Sequence, residues 1–427
     1  MAVDPYVCLR SSLRVKGNIL KIDDITIQLS RFRKIILVAV GKASVAMIRA
    51  ATELLQHYPI RGIIVVSKGT KLEQLDNRIE YCFSGHPLPD RDGIEASQRV
   101  IELVSRMRAD QLLICLISGG ASAMLPAPAD RISLEDKRKV TAELLRSKAS
   151  INEINTIRRH LSKLKGGRLV TLCPAGMILS LIISDTPGNY LHDIASGLTA
   201  EDPTSYQDAV DILRCYNLWE KVPESVRSHL RKGTRGGIPD TPKLGDPMFR
   251  KVRNLVVADN RTACAAAQRS LESNGIPSTI LTSSVQMEAR DMGKLLGGIA
   301  LERNVHGTRA LRTGATIIGG ETAVQVKGSG LGGRNQETVL SAVESIADLP
   351  GTVVAALATD GIDGNSKAAG AIADGASVER GKRKGLKIAE FLRRNDSYSY
   401  FARLKDTLVT GRTGTNVADI YLTLSAE

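Results

Sequence analysis

Residues 34–44 read Lys-Ile-Ile-Leu-Val-Ala-Val-Gly-Lys-Ala-Ser, an apolar run that ends in glycine and leads into a helix-forming segment. Unbroken runs of β-branched and aliphatic residues are typical of strands buried on both faces of a parallel sheet. The pattern predicts a strand over Lys34–Val40 and a helix over Ala43–Gln56. Because a strand that turns directly into a helix is the repeating unit of α/β folds, this stretch sets the expected fold class.

The same alternation continues along the chain, and its 427 residues are more than one hydrophobic core usually supports. We therefore expect two α/β domains with largely parallel strands. Segment 232–246 is rich in glycine and proline without periodicity, which predicts a linker, and we place the domains at 1–240 and 241–427. Further strands are predicted over Gly62–Ser67, Gln111–Ile117, Met177–Ser184, Asn254–Ala258, Ala315–Ile318, Thr322–Lys327 and Val353–Thr359. Further helices are predicted over Ile94–Arg106, Arg261–Ser273, Met287–Arg303 and Asn335–Ile346.

The net charge and the aromatic content of the chain indicate which class of molecule the protein binds. The chain has a formal net charge of +13 but only 4% aromatic residues, so stacking recognition of nucleic-acid bases is poorly supplied. We expect anionic small molecules as partners and neither nucleic acid nor membrane, since no apolar run is long enough to span a bilayer. The first residues resemble no signal peptide, which predicts a cytoplasmic protein. Whether the chain forms a homo-oligomer stays open.

Two turns rich in small residues follow predicted strands in the amino-terminal half. In the first, Lys42 lies at a helix start, where backbone N–H groups and an ammonium together favour an anion. An ordinary surface lysine is the alternative. In the second, Ser118, Gly119 and Gly120 precede Ser122, and small residues let the backbone approach a phosphate or simply form a tight turn. Neither spacing matches the Gly-x-x-x-x-Gly-Lys-Ser/Thr phosphate loop.

Two acids follow the strand predicted over Met177–Ser184. Asp185 comes directly after it and Asp193 a few residues later. Mg²⁺ binds a few hard oxygen ligands and completes its octahedron with water and phosphate, so both acids are candidate metal ligands. The alternative for Asp185 is a turn cap, which aspartate commonly forms after strands. The cysteines and histidines are scattered and show no metal-ligand spacing.

A glycine-rich loop precedes a predicted helix in the carboxyl-terminal half. Gly328, Gly330 and Gly333 satisfy Gly-x-Gly-x-x-Gly, with Gly332 inside the same loop, a pattern shared by dinucleotide and nucleotide phosphate loops. Arg334 follows at the helix start, where its planar fork could meet a phosphate with two hydrogen bonds. The loop is therefore a candidate phosphate-binding segment.

Asp360 comes directly after the strand predicted over Val353–Thr359, and a glycine follows it. In a dehydrogenase this acid would bind a ribose hydroxyl, and in a kinase it would bind metal or orient the acceptor hydroxyl. Phosphoryl transfer asks a protein mainly for positioning and charge stabilisation, which cations at helix starts and acids after strands would supply. From the residues alone, a phosphate-handling enzyme, a dehydrogenase and a binding protein all remain open.

Nine short motifs together resemble one known family, the glycerate 2-kinases with a C-terminal MOFRL module. The resemblance runs in order over nearly the whole chain. The motifs are Val40-Gly41-Lys42-Ala43, Ser84-Gly85-His86-Pro87-Leu88-Pro89-Asp90, Leu125-Pro126-Ala127-Pro128, Ile154-Asn155-Thr156-Ile157-Arg158-Arg159-His160-Leu161-Ser162, Ser184-Asp185, Gly320-Glu321-Thr322, Gly332-Gly333-Arg334-Asn335-Gln336-Glu337, Thr359-Asp360-Gly361-Ile362-Asp363-Gly364 and Thr413-Gly414-Thr415-Asn416-Val417.

The resemblance implies two α/β domains, the larger Rossmann-like with a mainly parallel sheet, and an active site in the cleft between them. It implies conversion of D-glycerate to 2-phosphoglycerate with ATP and Mg²⁺ or another divalent cation. Lys42 and Arg334 match the family's active-site lysine and arginine. The cleft acids of the family are matched by Asp185 and Asp360, and its Gly-Glu-Thr motif supplies Glu321 as a candidate phosphate- or substrate-binding residue.

A departure from the family pattern and two alternative functions bear on this expectation. Asn189 stands where the family commonly has an acid, which leaves the number of metal carboxylates open. Some relatives have carried a hydroxypyruvate reductase name, so an NAD(P)H-dependent reductase is the alternative function, and a kinase of another small hydroxy acid is a third. A reductase would need a nicotinamide site and a proton donor, and neither is specified better than the kinase groups.

Overall fold

The computed structural model describes residues 2–70, 76–305 and 314–426, which form two compact units. The first unit comprises Pro5–Ser184 and Asn189–Val257, and the second comprises Met1–Asp4, Asp185–Gly188 and Ala258–Glu427. The boundary predicted at residues 240 and 241 precedes the observed change of unit at Val257 and Ala258. The physical reason is that the strand Val252–Ala258 adds to the edge of the first unit's sheet.

A six-stranded sheet in the order β6-β5-β4-β7-β8-β9 forms the centre of the first unit, beside a small antiparallel sheet β1-β2-β3. The pairs β4–β5, β4–β7, β5–β6 and β7–β8 are parallel, as predicted from the apolar runs. The strands are β1 Arg14–Lys16, β2 Ile19–Ile22, β3 Ile25–Gln28, β4 Lys34–Val40, β5 Ile60–Ser67, β6 Ile79–Ser84, β7 Gln111–Ile117, β8 Met177–Ile183 and β9 Val252–Ala258.

Helices pack on this sheet because β4, β7 and β8 are buried at every position after the first. A strand buried on both faces needs a cover on each side, which the connecting segments supply. The helices are α1 Pro5–Ser12, α2 Ser44–Leu54, α3 Arg91–Ser105, α4 Ala121–Met124, α5 Leu134–Arg146, α6 Ile151–His160, α7 Arg168–Leu172, α8 Tyr206–Cys215 and α9 Glu224–Thr234. Short 3₁₀ turns span Leu29–Arg31, Pro187–Asn189, Ile194–Ser196 and Pro247–Lys251.

The strand order reverses between β4 and β7. From β4 the chain moves outward to β5 and β6, and β7 then returns to the opposite side of β4. The two strands pair in parallel register, with Val40 opposite Ile117 at their carboxyl ends. Open α/β sheets bind ligands outside the carboxyl ends of the strands at such a reversal. The turns after β4 and β7 are therefore where this sheet would hold a ligand.

The second unit has a mixed six-stranded sheet in the order β10-β11-β15-β12-β13-β14. Among the strand pairs that the described residues form, β10–β11 alone is parallel, so the expectation of largely parallel strands is wrong for this sheet. The two strands predicted between residues 315 and 327 are one strand, β11. The strands are β10 Ser278–Glu288, β11 Gly314–Ala323, β12 Thr352–Ala358, β13 Gly370–Asp374, β14 Thr407–Leu408 and β15 Asp419–Ser425. The helices are α10 Asn260–Ser273, α11 Ala289–Val305, α12 Arg334–Ala342, α13 Ser377–Arg383, α14 Ile388–Arg394 and α15 Ser397–Leu404.

The fold class expected from the sequence is confirmed, since both units are α/β and the first has a parallel sheet. Within the described residues, no helix is both long enough and apolar enough to cross a bilayer.

Candidate functional site

Lys42 lies at the strand reversal of the first unit, between β4 and α2. Its backbone N–H donates to the carbonyl of Gly119 at 2.9 Å, which ties the turn after β4 to the turn after β7. Its side chain is exposed, and within the described part of the chain its ammonium forms no ion pair. The structure therefore presents an uncompensated cation at the place where this sheet would hold a ligand.

Small residues let the turn after β7 pack closely against the turn that contains Lys42. The N–H of Ala43 donates to Ser118 Oγ at 3.0 Å, so this hydroxyl holds the start of α2. Gly41 has φ +115°, and a Cβ there would lie 2.4 Å from the Ser118 carbonyl oxygen. A Cβ on Gly120, with φ +90°, would lie 3.0 Å from the His86 ring and 3.5 Å from Lys42 Cγ. Glycine is required here because the two turns and two side chains converge without room for Cβ atoms.

His86 is the ring that lies over Gly120, and no single-residue pattern in the sequence pointed to it. Burial and the neighbouring ammonium of Lys42 lower the pKa of His86. The imidazole is therefore favoured in its neutral form beside Lys42. The only signal in the sequence was its position in the motif Ser84–Asp90.

Ser122 begins a chain of polar side chains that runs from α4 to α6. Its hydroxyl is 2.9 Å from Ser196 Oγ, which donates to Asn155 Oδ1 at 3.2 Å. Arg158 Nη1 donates to the same Asn155 oxygen at 3.4 Å. Ser196 and Asn155 are buried, whereas Arg158 is half-buried. The first unit thus places hydroxyls, an amide and a guanidinium beside the turn that contains Gly119 and Gly120.

Asp193 was predicted as a metal ligand, but the structure gives its carboxylate other partners. Oδ1 accepts from Asn155 Nδ2 at 3.2 Å and lies 3.3 Å from Arg159 Nη1. Asp193 and Arg159 are both almost fully buried, and Arg159 also pairs with buried Asp202 at 2.9 Å. A carboxylate committed to a buried ion-pair network is not presented to a metal, so the geometry does not favour the assignment of Asp193.

Arg334, the arginine predicted at a helix start, is held by two acids in the second unit. Its guanidinium binds Asp419 through both Nε (2.6 Å) and Nη2 (3.2 Å), and Nη1 donates to Glu321. Burial disfavours the charge of Arg334, but the two carboxylates raise its pKa above the ordinary value. Burial in turn raises the pKa of Asp419 to about 6, against the opposing effect of Arg334. Because the fork already holds Asp419, the predicted two-bond contact with phosphate would need this pair to rearrange.

The loop of Gly328, Gly330, Gly332 and Gly333 is closed by hydrogen bonds within the protein. The Lys327 and Gly328 amides donate to Asn395 Oδ1 at 2.8 and 2.9 Å. Gly330 donates to the Arg394 carbonyl, Leu331 to Asp396 Oδ1 and Gly332 to Asn365 Oδ1. A phosphate loop needs free amides, and in this arrangement these five are occupied. Phosphate binding by the glycines remains a prediction that this geometry does not favour.

The first turn of α12 is also occupied. Asp363, which is 2% exposed, accepts from the Asn335 N–H at 3.1 Å and from the Gln336 N–H at 2.8 Å. A carboxylate at a helix start satisfies its unpaired amides and matches the helix dipole. The anion at this helix start is therefore Asp363 itself rather than an incoming ligand.

Asp360 and Asp185 both contact segment 413–416 of the second unit. The Thr413 N–H donates to the Asp360 carbonyl at 3.2 Å, and Asn416 Nδ2 donates to Asp185 Oδ2 at 3.3 Å. Asp360 Oδ1 accepts from the Ile362 N–H at 3.0 Å, which fixes its turn. The two predicted acids thus contact the same short segment, and Asn416, which the sequence marked only as part of the motif Thr413–Val417, adds an amide there.

The donor set suits a weakly held Mg²⁺ better than a metal in a dedicated cage. Within the described ranges, no group of three or more His, Cys, Asp or Glu side chains is arranged to hold a metal ion. Mg²⁺ commonly uses one or two carboxylates together with water and substrate phosphates. Asp185 and Asp360 fit this pattern by residue type and partial exposure.

Comparisons with known proteins agree with this architecture. The family model described as a domain of unknown function (DUF4147) matches residues 1–231, and the model described as MOFRL family matches residues 314–419. A protein named glycerate 2-kinase from Pyrococcus horikoshii is 38% identical over 99% of this chain and 94% of its own. A relative from Agrobacterium vitis, provisionally named hydroxypyruvate reductase, is 38% identical over 90% of this chain and 86% of its own.

A solved structure extends the similarity to three dimensions. The crystal structure of glycerate kinase from Thermotoga maritima has a TM-score of 0.85 and 34% identity, over 100% of this chain and 96% of that one. Together with the α/β units and the cation at the strand reversal, these matches define an α/β enzyme family. The chain belongs to the glycerate 2-kinase family with a C-terminal MOFRL module.

Proposed function

We propose that this protein phosphorylates D-glycerate to 2-phosphoglycerate with ATP and a divalent metal, releasing ADP. The observation that carries the proposal is the similarity over 99% of the chain to a protein named glycerate 2-kinase. In the reaction the acceptor hydroxyl forms a bond to the terminal phosphorus while the bond from that phosphorus to the bridging oxygen breaks. The hydroxyl proton leaves to a base or to water.

Lys42 is the residue whose geometry best suits this chemistry. It is an exposed cation without an acidic partner among the described residues, at the strand reversal of a parallel sheet. A fixed positive charge stabilises the transferring phosphoryl group, and losing one such contact commonly costs about a hundredfold in kcat. Arg334, which matches the family's active-site arginine, is proposed to serve the same reaction after its contact with Glu321 or Asp419 is exchanged.

Asp185 and Asp360 are the proposed metal-binding acids. A divalent ion there would neutralise charge on the transferring phosphates. Asn416 positions Asp185, and the turn amide of Ile362 positions Asp360. Asp185→Asn and Asp360→Asn are each expected to lose most turnover with the fold intact, and excess chelator should abolish activity.

The hydroxypyruvate reductase alternative rests on the name of some relatives. A dinucleotide loop binds pyrophosphate through free amides at a helix start, but here Asp363 and the loop contacts occupy those amides. The reductase therefore has no dinucleotide loop at this helix start, and what supports the kinase is the similarity to proteins named glycerate kinase.

The experiment incubates purified protein with D-glycerate, ATP and Mg²⁺, and identifies the product by NMR. Lys42→Ala is the active-site variant, and Lys34→Ala, at the opposite end of β4, is the matched control. Formation of 2-phosphoglycerate by the wild-type protein and the control, but not by Lys42→Ala, supports the proposal. NAD(P)H oxidation with hydroxypyruvate, with no ATP consumed in the presence of glycerate, would make the reductase reading correct instead.

A further inference from the structure

Three cations gather inside the first unit, and no acid among the described residues pairs with them. Lys137 on α5 and Lys165 before α7 are buried, and Arg158 on α6 is half-buried. We call these three residues the cationic cluster. They lie close enough that the charge of Arg158 lowers the pKa of both lysines, and the charge of Lys137 lowers that of Lys165. Burial is the larger cause for each lysine.

The contacts of the cluster leave its charge uncompensated. Lys137 Nζ donates to the Pro126 carbonyl and Lys165 Nζ to the Leu125 carbonyl, each at 2.6 Å. Arg158 donates to Asn155 Oδ1, and in the described ranges no carboxylate pairs with any of the three. Neutral carbonyls satisfy hydrogen bonds but do not balance buried positive charge, which is costly in a medium of low polarity.

The half-buried member of the cluster, Arg158, is linked by hydrogen bonds to the site already described. Arg158 shares Asn155 with Ser196, and Ser196 contacts Ser122, two residues after Gly120. The lysines bind the carbonyls of Leu125 and Pro126, directly after α4, the helix that contains Ser122. The cluster thus supports the turn after β7 from behind, and Arg158 is its member that solvent can reach.

We propose that Arg158 is the residue that binds the carboxylate of the acceptor substrate, with Lys137 and Lys165 holding the carbonyls of Pro126 and Leu125 behind it. This inference rests on the proposed function and names the part of the site that selects a hydroxy acid over a neutral alcohol. A guanidinium fork matches the two oxygens of a carboxylate. The half-buried hydroxyl of Ser122, which is linked to Arg158 through Ser196 and Asn155, suits a substrate whose hydroxyl lies next to its carboxylate.

The test compares Arg158→Gln with Arg158→Lys and with Arg146→Gln. Arg146 is an exposed arginine on α5 whose ion pair is with Glu143, so it controls for loss of a positive charge. Loss of one hydrogen-bonded charge predicts a rise of about 10- to 100-fold in the KM for D-glycerate for Arg158→Gln. The KM for D-glycerate should rise less in Arg158→Lys, since lysine keeps the positive charge but lacks the planar fork of the guanidinium. The KM for ATP should stay within about twofold, and Arg146→Gln should match the wild type.

Three other outcomes are decisive. An unchanged KM for D-glycerate in Arg158→Gln, with a folded protein by circular dichroism, would overturn the inference while leaving the kinase assignment intact. A rise confined to the KM for ATP would mean that Arg158 binds nucleotide phosphate, which overturns the carboxylate assignment. If the wild-type protein does not phosphorylate glycerate, the proposed function fails. In that case, calorimetric titration of the wild type and of Arg158→Gln with D-glycerate and with inorganic phosphate tests Arg158 directly. Equal binding by the two proteins would overturn the inference.

Discussion

Arg334 and Asp419 depend on each other, because Asp419 is almost fully buried and, among the described residues, its carboxylate forms an ion pair with Arg334 alone. Arg334→Ala would leave a buried carboxylate without its partner, which commonly costs about 3 kcal/mol when such a pair is broken. We expect a lower thermal transition for the second unit, followed by calorimetry. Arg334→Lys should lose less, and Asp419→Asn combined with Arg334→Ala should recover part of the loss. Equal stability of Arg334→Ala and wild type would show that Asp419 needs no counter-charge.

From the burial of Lys137 we predict that the free energy of unfolding of the first unit depends on pH. Burial, and then the charge of Arg158, lowers its pKa from 10.5 to about 7, with Lys165 the other cation nearby. Between these two values the unfolded chain holds a proton that the folded protein lacks, so this residue makes stability rise with pH by up to about 1.4 kcal/mol per pH unit. Below pH 7 both states are protonated and the slope vanishes.

The comparison uses Lys137→Met from pH 7 to 8.5. The single tryptophan, Trp219, lies in the first unit, so its fluorescence reports unfolding of that unit. Wild type should gain stability relative to Lys137→Met as the pH rises, since the methionine variant lacks this titration. A stability difference that does not change with pH would contradict the lowered pKa.

The turn after β4 provides a prediction at the scale of an element. Gly41→Ala would place a Cβ 2.4 Å from the Ser118 carbonyl oxygen, at φ +115°, whereas a Cβ at Gly17, with φ +54°, would have no atom within 4 Å. Both changes force an unfavourable backbone, costing roughly 1 kcal/mol, but only Gly41→Ala must also separate the turns after β4 and β7. We expect Gly41→Ala to lose several times more stability than Gly17→Ala by Trp219 fluorescence, together with activity. Equal losses would mean that the two turns move apart freely.

The elements that the sequence predicts best are those with two buried faces. β4 and β7 begin and end where the apolar runs begin and end, because burial on both faces leaves no polar position inside the strand. β10 was missed, since it lies at a sheet edge and carries polar residues along its half-exposed length. The helix predicted from Met287 begins two residues early, because Met287 and the residue after it are the last two residues of β10 and α11 begins at Ala289.

The sequence predicted the candidate site only where a charged or small polar residue comes directly after an apolar strand. Lys42 and the Ser118–Gly120 turn came from glycine and charge after apolar runs, and the structure brings them together at the reversal of strand order. The link from Ser122 to Ser196 joins residues far apart in the chain, so no local pattern shows it. Asp419 was missed for a similar reason, because its importance comes from pairing with Arg334 across the fold.

At the scale of the whole molecule, the net charge of +13 is expected to act on anionic substrates rather than on nucleic acid. Fields from a net charge speed the encounter with small anions, and salt screens them over about 10 Å at 0.1 M. The kcat/KM for ATP and for D-glycerate should therefore fall as ionic strength rises, with kcat nearly constant. Non-specific DNA retention should already be lost near physiological salt, since its affinity depends steeply on released counterions. Both quantities can be measured over one salt series, with substitution of the exposed Lys232 and Arg235 as a control for local charge. Sequence-selective DNA retention that survives physiological salt, or kcat/KM values insensitive to salt, would contradict this role for the charge.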